Sequence, residues 1–162
     1  MSNNAGEPAQ YLTFTLADSL FAINIETVRE IIPSVAMTRV PMTPVFIRGV
    51  LNLRGAVVPV IDLQSRFGWE SAVLSQYTCI VIIDSHNAAG PAQLGLMVDS
   101  VSEVSDIAAS DIAPPPNFGT PIRHDLIEGM AKVEDHFLVI LKPSHAFDME
   151  VLTQLVEQEA IA

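Results

Sequence analysis

Apolar residues alternate with polar ones at Leu12, Phe14 and Leu16 and again at Phe21, Ile23 and Ile25, with Ala17-Asp18-Ser19 between the two runs. Period-two alternation around a short polar break predicts a β-hairpin. The period then changes. Ile25, Val28, Ile31 and Ile32 follow helical spacing, Asn24 stands where an N-cap belongs and Pro33 ends the run, so a helix of about two turns is expected there. Past the Pro41–Pro44 turn, Ile47, Gly49, Leu51 and Leu53 alternate with Arg48, Val50, Asn52 and Arg54. Ala56 to Ile61 is a second β-rich run beyond Arg54-Gly55, which predicts another hairpin. Pro59 cannot donate to a ladder, so its strand should expose an edge near it. Further strands are expected at 77–84, 93–98, 101–107, 127–133 and 137–142, separated by Asn87–Pro91 and the proline-rich Ala113–Pro121. Near the end, Val151, Leu152, Leu155 and Val156 form one apolar stripe behind Asp148, which predicts a C-terminal helix over Met149–Gln158.

The two halves echo each other. Val28-Arg29-Glu30-Ile31 recurs 73 residues later as Val101-Ser102-Glu103-Val104, each copy after an apolar strand. At a shift of 80, Ile47-Arg48-Gly49-Val50 matches Ile127-Glu128-Gly129-Met130 and Val60-Ile61 matches Ile140-Leu141, with prolines ahead of each. The shared order points to two related five-strand units. Each is too small for an open sheet with unprotected edges and should curl closed. The expected fold is therefore mainly β, two small five-stranded barrels sharing one core, with short helices and the C-terminal helix.

Composition narrows the class. With 49% apolar and 17% charged residues in 162, the chain can bury a sizeable core and is not globally disordered. No run of about 18 uninterrupted apolar residues exists, and Met1 to Gln10 carries no basic apolar signal segment. Membrane insertion is not expected. The single cysteine, Cys79, agrees with a reducing compartment, and a cytoplasmic location follows. A net charge of −11 argues against nucleic-acid binding. Its distribution is uneven: Arg29, Arg39, Arg48, Arg54 and Arg66 stand against Glu30 and Asp62 between 29 and 69, a local +3, and the rest carries −14. That asymmetry points to an arginine-bearing face meeting an acidic or polar partner; scattered solvated arginines are the alternative.

Chemistry is sparse. His86, His124, His136 and His145 are isolated, with no pair at metal-ligand spacing, and Cys79 is flanked by strand residues. Neither a nucleophile elbow nor a glycine-rich phosphate loop is present, and neither a metal nor a cofactor is expected. Two classes remain, an interaction module or a ligand-binding or enzymatic barrel. A ligand site should gather polar groups in one pocket, whereas an adaptor should present apolar residues beside arginines on an open surface.

Val45 to Leu63 reads VFIRGVLNLRGAVVPVIDL, which closely resembles the signature of the CheW family of chemotaxis coupling proteins. The likeness extends back through Phe14-Thr15-Leu16, Phe21-Ala22-Ile23, Val28–Ile31 and Thr38–Pro41, and forward through Arg66-Phe67-Gly68, Gly95–Asp99, Val101–Val104 and Pro114–Phe118. It covers about Tyr11 to Leu155, which is expected to be one domain behind a flexible N-terminus at 1–10. Ala22 departs from a common glycine, and Gln64 from a common arginine. The resemblance implies two intertwined five-stranded barrels and a non-enzymatic adaptor. Its partners would be the cytoplasmic tips of chemoreceptors and the regulatory domain of the histidine kinase CheA. Nothing with the pattern of a receiver domain follows, so a standalone adaptor is expected. A coupling protein of a twitching-motility or other receptor–kinase pathway is the alternative, with a small-ligand barrel behind it.

The same resemblance assigns residues. Asn52-Leu53-Arg54-Gly55 matches the family's N-L-R-G turn, whose arginine is linked with receptor coupling, and Val28 and Glu30 match positions near it. Arg54, Val28, Glu30 and Asn52 form the expected receptor-binding set, with Glu30 as an ion-pair partner for Arg54. Gly49, Gly55 and Gly129 are expected to serve the backbone.

Overall fold

The computed structural model describes residues 8–34, 36–87, 90–114, 127–133 and 135–142, with the side chains of 85–91 left aside. The fold is mainly β. The strands are β1 (Pro8–Leu16), β2 (Ser19–Asn24), β3 (Val28–Pro33), β4 (Ile47–Leu53), β5 (Ala56–Asp62), β6 (Cys79–Asn87), β7 (Gly90–Val98), β8 (Ser100–Ala108), β9 (Ile112–Ala113), β10 (Ile127–Val133) and β11 (His136–Leu141). One four-residue helix, α1 (Leu63–Arg66), follows β5. The strands form a six-stranded sheet in the order β8-β1-β2-β11-β10-β9 and a five-stranded sheet in the order β3-β6-β7-β5-β4. Residues 8–10, left in the N-terminus by the hydrophobic pattern, begin β1, with Pro8 opposite Ala108. The C-terminal helix expected over 149–158 lies outside the described residues.

The repeat is visible in the ladders, strand for strand. β1 to β5 correspond to β6, β7, β8, β10 and β11; the five-stranded sheet joins the β6–β7 hairpin to three strands of the first unit, and the six-stranded sheet joins the β1–β2 hairpin to β8, β10 and β11 of the second, with the short β9 added. The register agrees residue by residue. β3 is bulged between Val28 and Glu30 against β6, and β8 between Val101 and Glu103 against β1. β4 is bulged between Ile47 and Gly49, and β10 between Ile127 and Gly129. The parallel pairs Val60↔Gly95 and Ile140↔Ala22 are likewise equivalent. The shift of 73 accounts for the second and third strands and the shift of 80 for the last hairpin, while in the first strand Phe14 corresponds to Ile83, each paired with the equivalent residue of its neighbours.

Exchange of hairpins explains the unbroken apolar runs. Along β6, Ile80 and Ile82 face one cluster with Leu51, Val58, Val60 and Met97, while Val81 and Ile83 face another with Phe14, Ile23, Ile61 and Leu96. Both faces are buried, so alternation vanishes from the sequence. The second cluster draws on both sheets and is the shared core. A third, with Tyr11, Ala22, Ile107, Leu138 and Ile140, fills the concave side of the six-stranded sheet. Burial of each such Leu or Ile contributes about 1.5–3 kcal/mol.

Two expectations need correction. The helix over 25–32 is a single 3-10 turn, Ile25–Thr27, followed by strand β3. Asn24 does cap it, its Oδ1 accepting from Glu26 N at 2.8 Å. The β-branched Val28, Ile31 and Ile32 then suit a pleated surface, and pairing with β6 replaces a helix too short to persist alone. The barrels, second, are not closed ladders among the described residues. Each sheet curls until its edges are joined by chain instead. β8 and β9, the outer strands of the six-stranded sheet, are separated only by the 3-10 turn Ala109–Asp111, a rise of about 6 Å. In the five-stranded sheet, Thr38 and Val50 exchange two backbone hydrogen bonds, of 3.0 and 2.8 Å, beyond the end of β3. Pro33, Pro41 and Pro44 lack the N–H groups that a continuous closing ladder requires. Pro59 lies just outside the β5–β7 pairing, which begins at Val60.

Candidate partner-binding site

The β4–β5 hairpin turns through Arg54 and Gly55, both at positive φ (52° and 87°), the pattern of a two-residue turn that matches the twist of its strands. Asn52 Oδ1 accepts from Gly55 N at 2.9 Å and closes the turn. Arg54 occupies a conformation that disfavours a Cβ, so turn chemistry does not account for an arginine there. What it reaches is Glu30: Arg54 Nη2 donates to Glu30 Oε1 and the two form an ion pair. β3 and β4 are opposite edges of the five-stranded sheet, so this pair spans the seam that the curl creates. The hydrogen bond to Glu30, and then its charge, raise the Arg54 pKa from an already high value, and the guanidinium is charged throughout the physiological range.

The structure brings Arg54, Glu30 and Asn52 to one end of this sheet. Val28 stands on the other side of the β3 bulge from Glu30, opposite Ile83, and its side chain packs against the shared core. Apolar side chains flank the turn in the open: Val57, opposite Asn52, is 72% exposed, and Ile31, next to Glu30, is 41% exposed. Gly49 lies directly under the Thr38 carbonyl, and Gly129 under that of Ala113, so a Cβ at either would meet backbone.

The basic segment does not form one face. Arg29 pairs with Asp84 at 2.6 Å, Arg48 with Asp62 at 3.4 Å and Arg54 with Glu30. Arg66 is buried, its guanidinium 5.2 Å from the Phe46 ring centroid. The local excess of +3 therefore serves mostly to hold this sheet and its following loop in place.

Asp62 is a structural residue that sequence reasoning passed over. Fully buried, it caps α1 through Oδ1, which accepts from Gln64 N at 3.0 Å and Ser65 N at 3.3 Å. Its Oδ2 accepts from Ala72 N at 2.8 Å and from Arg48 Nη1 at 3.4 Å, which fixes the loop beyond the helix. An aspartate at the end of an apolar strand, just before Leu63-Gln64-Ser65, was the available signal. Among the described residues no three His, Cys, Asp or Glu gather as a metal site, and no helix is long and apolar enough to cross a membrane. Cys79 is half-buried, its Sγ donating to Tyr77 O at 3.3 Å.

Comparison with known proteins agrees with this architecture. The family model of the CheW-like domain matches residues 10–151. Over 143 residues the chain is 32% identical to the chemotaxis protein CheW of Klebsiella aerogenes, covering 87% of this chain and 84% of that one. It is 27% identical over 153 residues to Protein FrzA of Myxococcus xanthus, covering 94% and 90%. Among solved structures, the scaffolding protein TtCheW from Thermoanaerobacter tengcongensis superimposes with a TM-score of 0.76 at 38% identity, covering 86% of this chain and 92% of that one. A swapped pair of curled sheets, the N-L-R-G hairpin turn and these likenesses along nearly the whole chain lead to one conclusion: the protein belongs to the CheW-like family.

Proposed function

We propose that the protein is a non-enzymatic cytoplasmic adaptor that couples chemoreceptors to the histidine kinase CheA in chemotaxis signal transduction, acting as one unit over residues 11–155. The observation that carries this reading is the Asn52–Gly55 turn. It places an arginine in a backbone conformation that the turn requires but a Cβ disfavours, on an exposed tip, beside the apolar Val57 and Ile31. Such a tip has the composition of an interface hot spot, a guanidinium among apolar surface. In this reading Arg54 anchors the cytoplasmic tip of the receptor, Glu30 orients it, Asn52 holds the turn and Val28 fixes the strand that carries Glu30. The regulatory domain of CheA occupies a different surface. Neither nucleic acid, nor membrane insertion, nor a metal or cofactor enters the mechanism.

Substitution of Arg54 by alanine tests this. Affinity for a receptor signalling fragment should fall about tenfold or more, the loss typical of a hot-spot residue. Binding to the kinase regulatory domain should persist. Were Arg54 only to tie its own turn to Glu30, thermal stability would drop slightly and both partners would bind as before. Unchanged receptor affinity therefore ends the assignment. A coupling protein of a twitching-motility or other receptor–kinase pathway is the second reading, slightly favoured by the likeness to FrzA, a relative not named as a chemotaxis protein.

A further inference from the structure

The relation between the two units carries each feature of one seam onto the other. A shift of 73 takes Glu30 to Glu103, and a shift of 80 takes the Leu53–Ala56 turn to Val133–His136. In the five-stranded sheet the seam is spanned from within by Arg54 on Glu30. At a shift of 80 the sequence has Glu134 where the first unit has Arg54, and no arginine stands between Val133 and His136 to pair with Glu103. At that seam a cavity of about 260 Å³ opens between β8 and the β10–β11 hairpin.

The lining of the cavity has a definite chemistry. The Glu103 carboxylate accepts one hydrogen bond among the described residues, from Ser105 Oγ at 3.3 Å, and no ion pair there involves it. An ionised carboxylate offers about four acceptor positions, so most of its capacity is open. The strand beneath it is pinned: Thr13 Oγ1 donates to Glu103 O at 2.9 Å and accepts from Glu103 N at 3.2 Å. Leu20 and Leu138 supply apolar wall, and His136 lies on the hairpin side. The volume is below the range of about 300–1,000 Å³ typical of small-molecule sites and equals the share of roughly eight or nine waters. That is room for one long side chain.

We propose that this cavity receives an arginine side chain of a protein partner, which takes at Glu103 the place that Arg54 takes at Glu30. The planar fork pairs with the carboxylate while the apolar stem lies along Leu20 and Leu138. Charge favours the same occupant, because the chain outside residues 29–69 carries −14. The proposal deepens the adaptor reading and rests on it for the source of the arginine.

The test uses the whole chain and a capped arginine, Nα-acetyl-arginine amide, followed by NMR chemical shifts of Ser102, Glu103, Ser105 and His136. Saturable shifts at these residues are expected, with affinity reduced about tenfold or more by Glu103→Gln, a nearly isosteric change at an exposed position. The neutral analogue Nα-acetyl-citrulline amide should leave the resonances in place. Shifts that do not saturate, that citrulline reproduces or that survive Glu103→Gln overturn the pocket. Free L-arginine binding more tightly than the capped form would identify a metabolite site and overturn the protein partner. Receptor and kinase titrations of the unmodified chain report on the adaptor reading separately, so failure of the pocket with coupling intact leaves that reading standing.

Discussion

Alanine at position 49 should loosen the closure of the five-stranded sheet, and the cost follows from geometry. Its Cβ would stand 2.7 Å from Thr38 O and 3.1 Å from Met37 Cβ, well inside contact distance. Thr38 O is the acceptor for Val50 N at 2.8 Å, and Thr38 N donates to Val50 O at 3.0 Å. Relief requires the Thr38 carbonyl to move, which breaks the pair that joins this segment to β4. Overpacking costs about 1–3 kcal/mol and each lost backbone hydrogen bond about 0.5–1.5, so a loss of about 2–6 kcal/mol is expected.

Gly55→Ala is the control, because a Cβ there meets nothing within 4 Å and only the positive φ of 87° opposes it. That strain is worth about 1–2 kcal/mol. Urea denaturation separates the two. With a slope of about 2 kcal/mol per molar, the middle of the usual range for urea, the midpoint should fall by about 1–3 M for Gly49→Ala and by about 0.5–1 M for Gly55→Ala. A midpoint unchanged by Gly49→Ala, or lowered more by Gly55→Ala, would refute the reasoning. Gly129→Ala should resemble Gly49→Ala, since its Cβ would press on Ala113 O and lie 2.7 Å from Ile112 Cγ2.

Other expectations follow from buried groups. Asp62→Ala removes a helix cap, strands the Ala72 amide and leaves Arg48 without its carboxylate, a loss of about 3–5 kcal/mol in urea melts; Asp62→Asn, which keeps Oδ1, should lose less, and equal losses would show that the Oδ1 cap contributes nothing. Burial, and secondarily the charge of Glu128, raise the Tyr11 pKa. The folded chain then holds that proton more tightly than the unfolded one, so stability is unaffected below the ordinary tyrosine value of about 10 and falls as pH rises past it. In a Tyr77→Phe chain, whose sole tyrosine is Tyr11, the ultraviolet ionisation midpoint should exceed that of a free phenol. A midpoint at or below the free value would contradict this, and Tyr11→Phe should soften the alkaline loss of stability.

Much of this fold was legible because the two units keep the same backbone irregularities. Glycines at 49 and 129 and the residues around each bulge recur in the sequence because a carbonyl crosses closely at both places. The exchange of hairpins was not legible from periodicity. It depends on short parallel contacts, Val60–Asp62 beside Gly95–Met97 and Val139–Ile140 beside Phe21–Ala22, in strands whose two faces are both apolar. Without alternation, residue spacing carries no record of the neighbour. Burial on two sides also made β3 resemble a helix, since Val28 and Ile32 face inward while Ile31 is exposed. At the site, a turn could be read at Arg54-Gly55. Glu30 became its partner only through the family resemblance, because the two stand on opposite edges until the sheet curls.

The bulges explain where the two units are free to differ. A bulged residue is the extra one in its ladder, so register does not dictate its side chain. All four positions carry polar residues, with four different employments. Arg29 reaches Asp84, and Arg48 reaches Asp62 and the Ala72 carbonyl; Ser102 lines the cavity at the second seam, and Glu128 acts on Tyr11. The first unit spends its bulge positions on internal ion pairs and closes its seam with its own arginine. The second has neither arginine at its bulges nor one at its turn, and there the cavity stands open. The backbone requirement is shared, so the difference between the two ends lies in side chains, where a partner can read it.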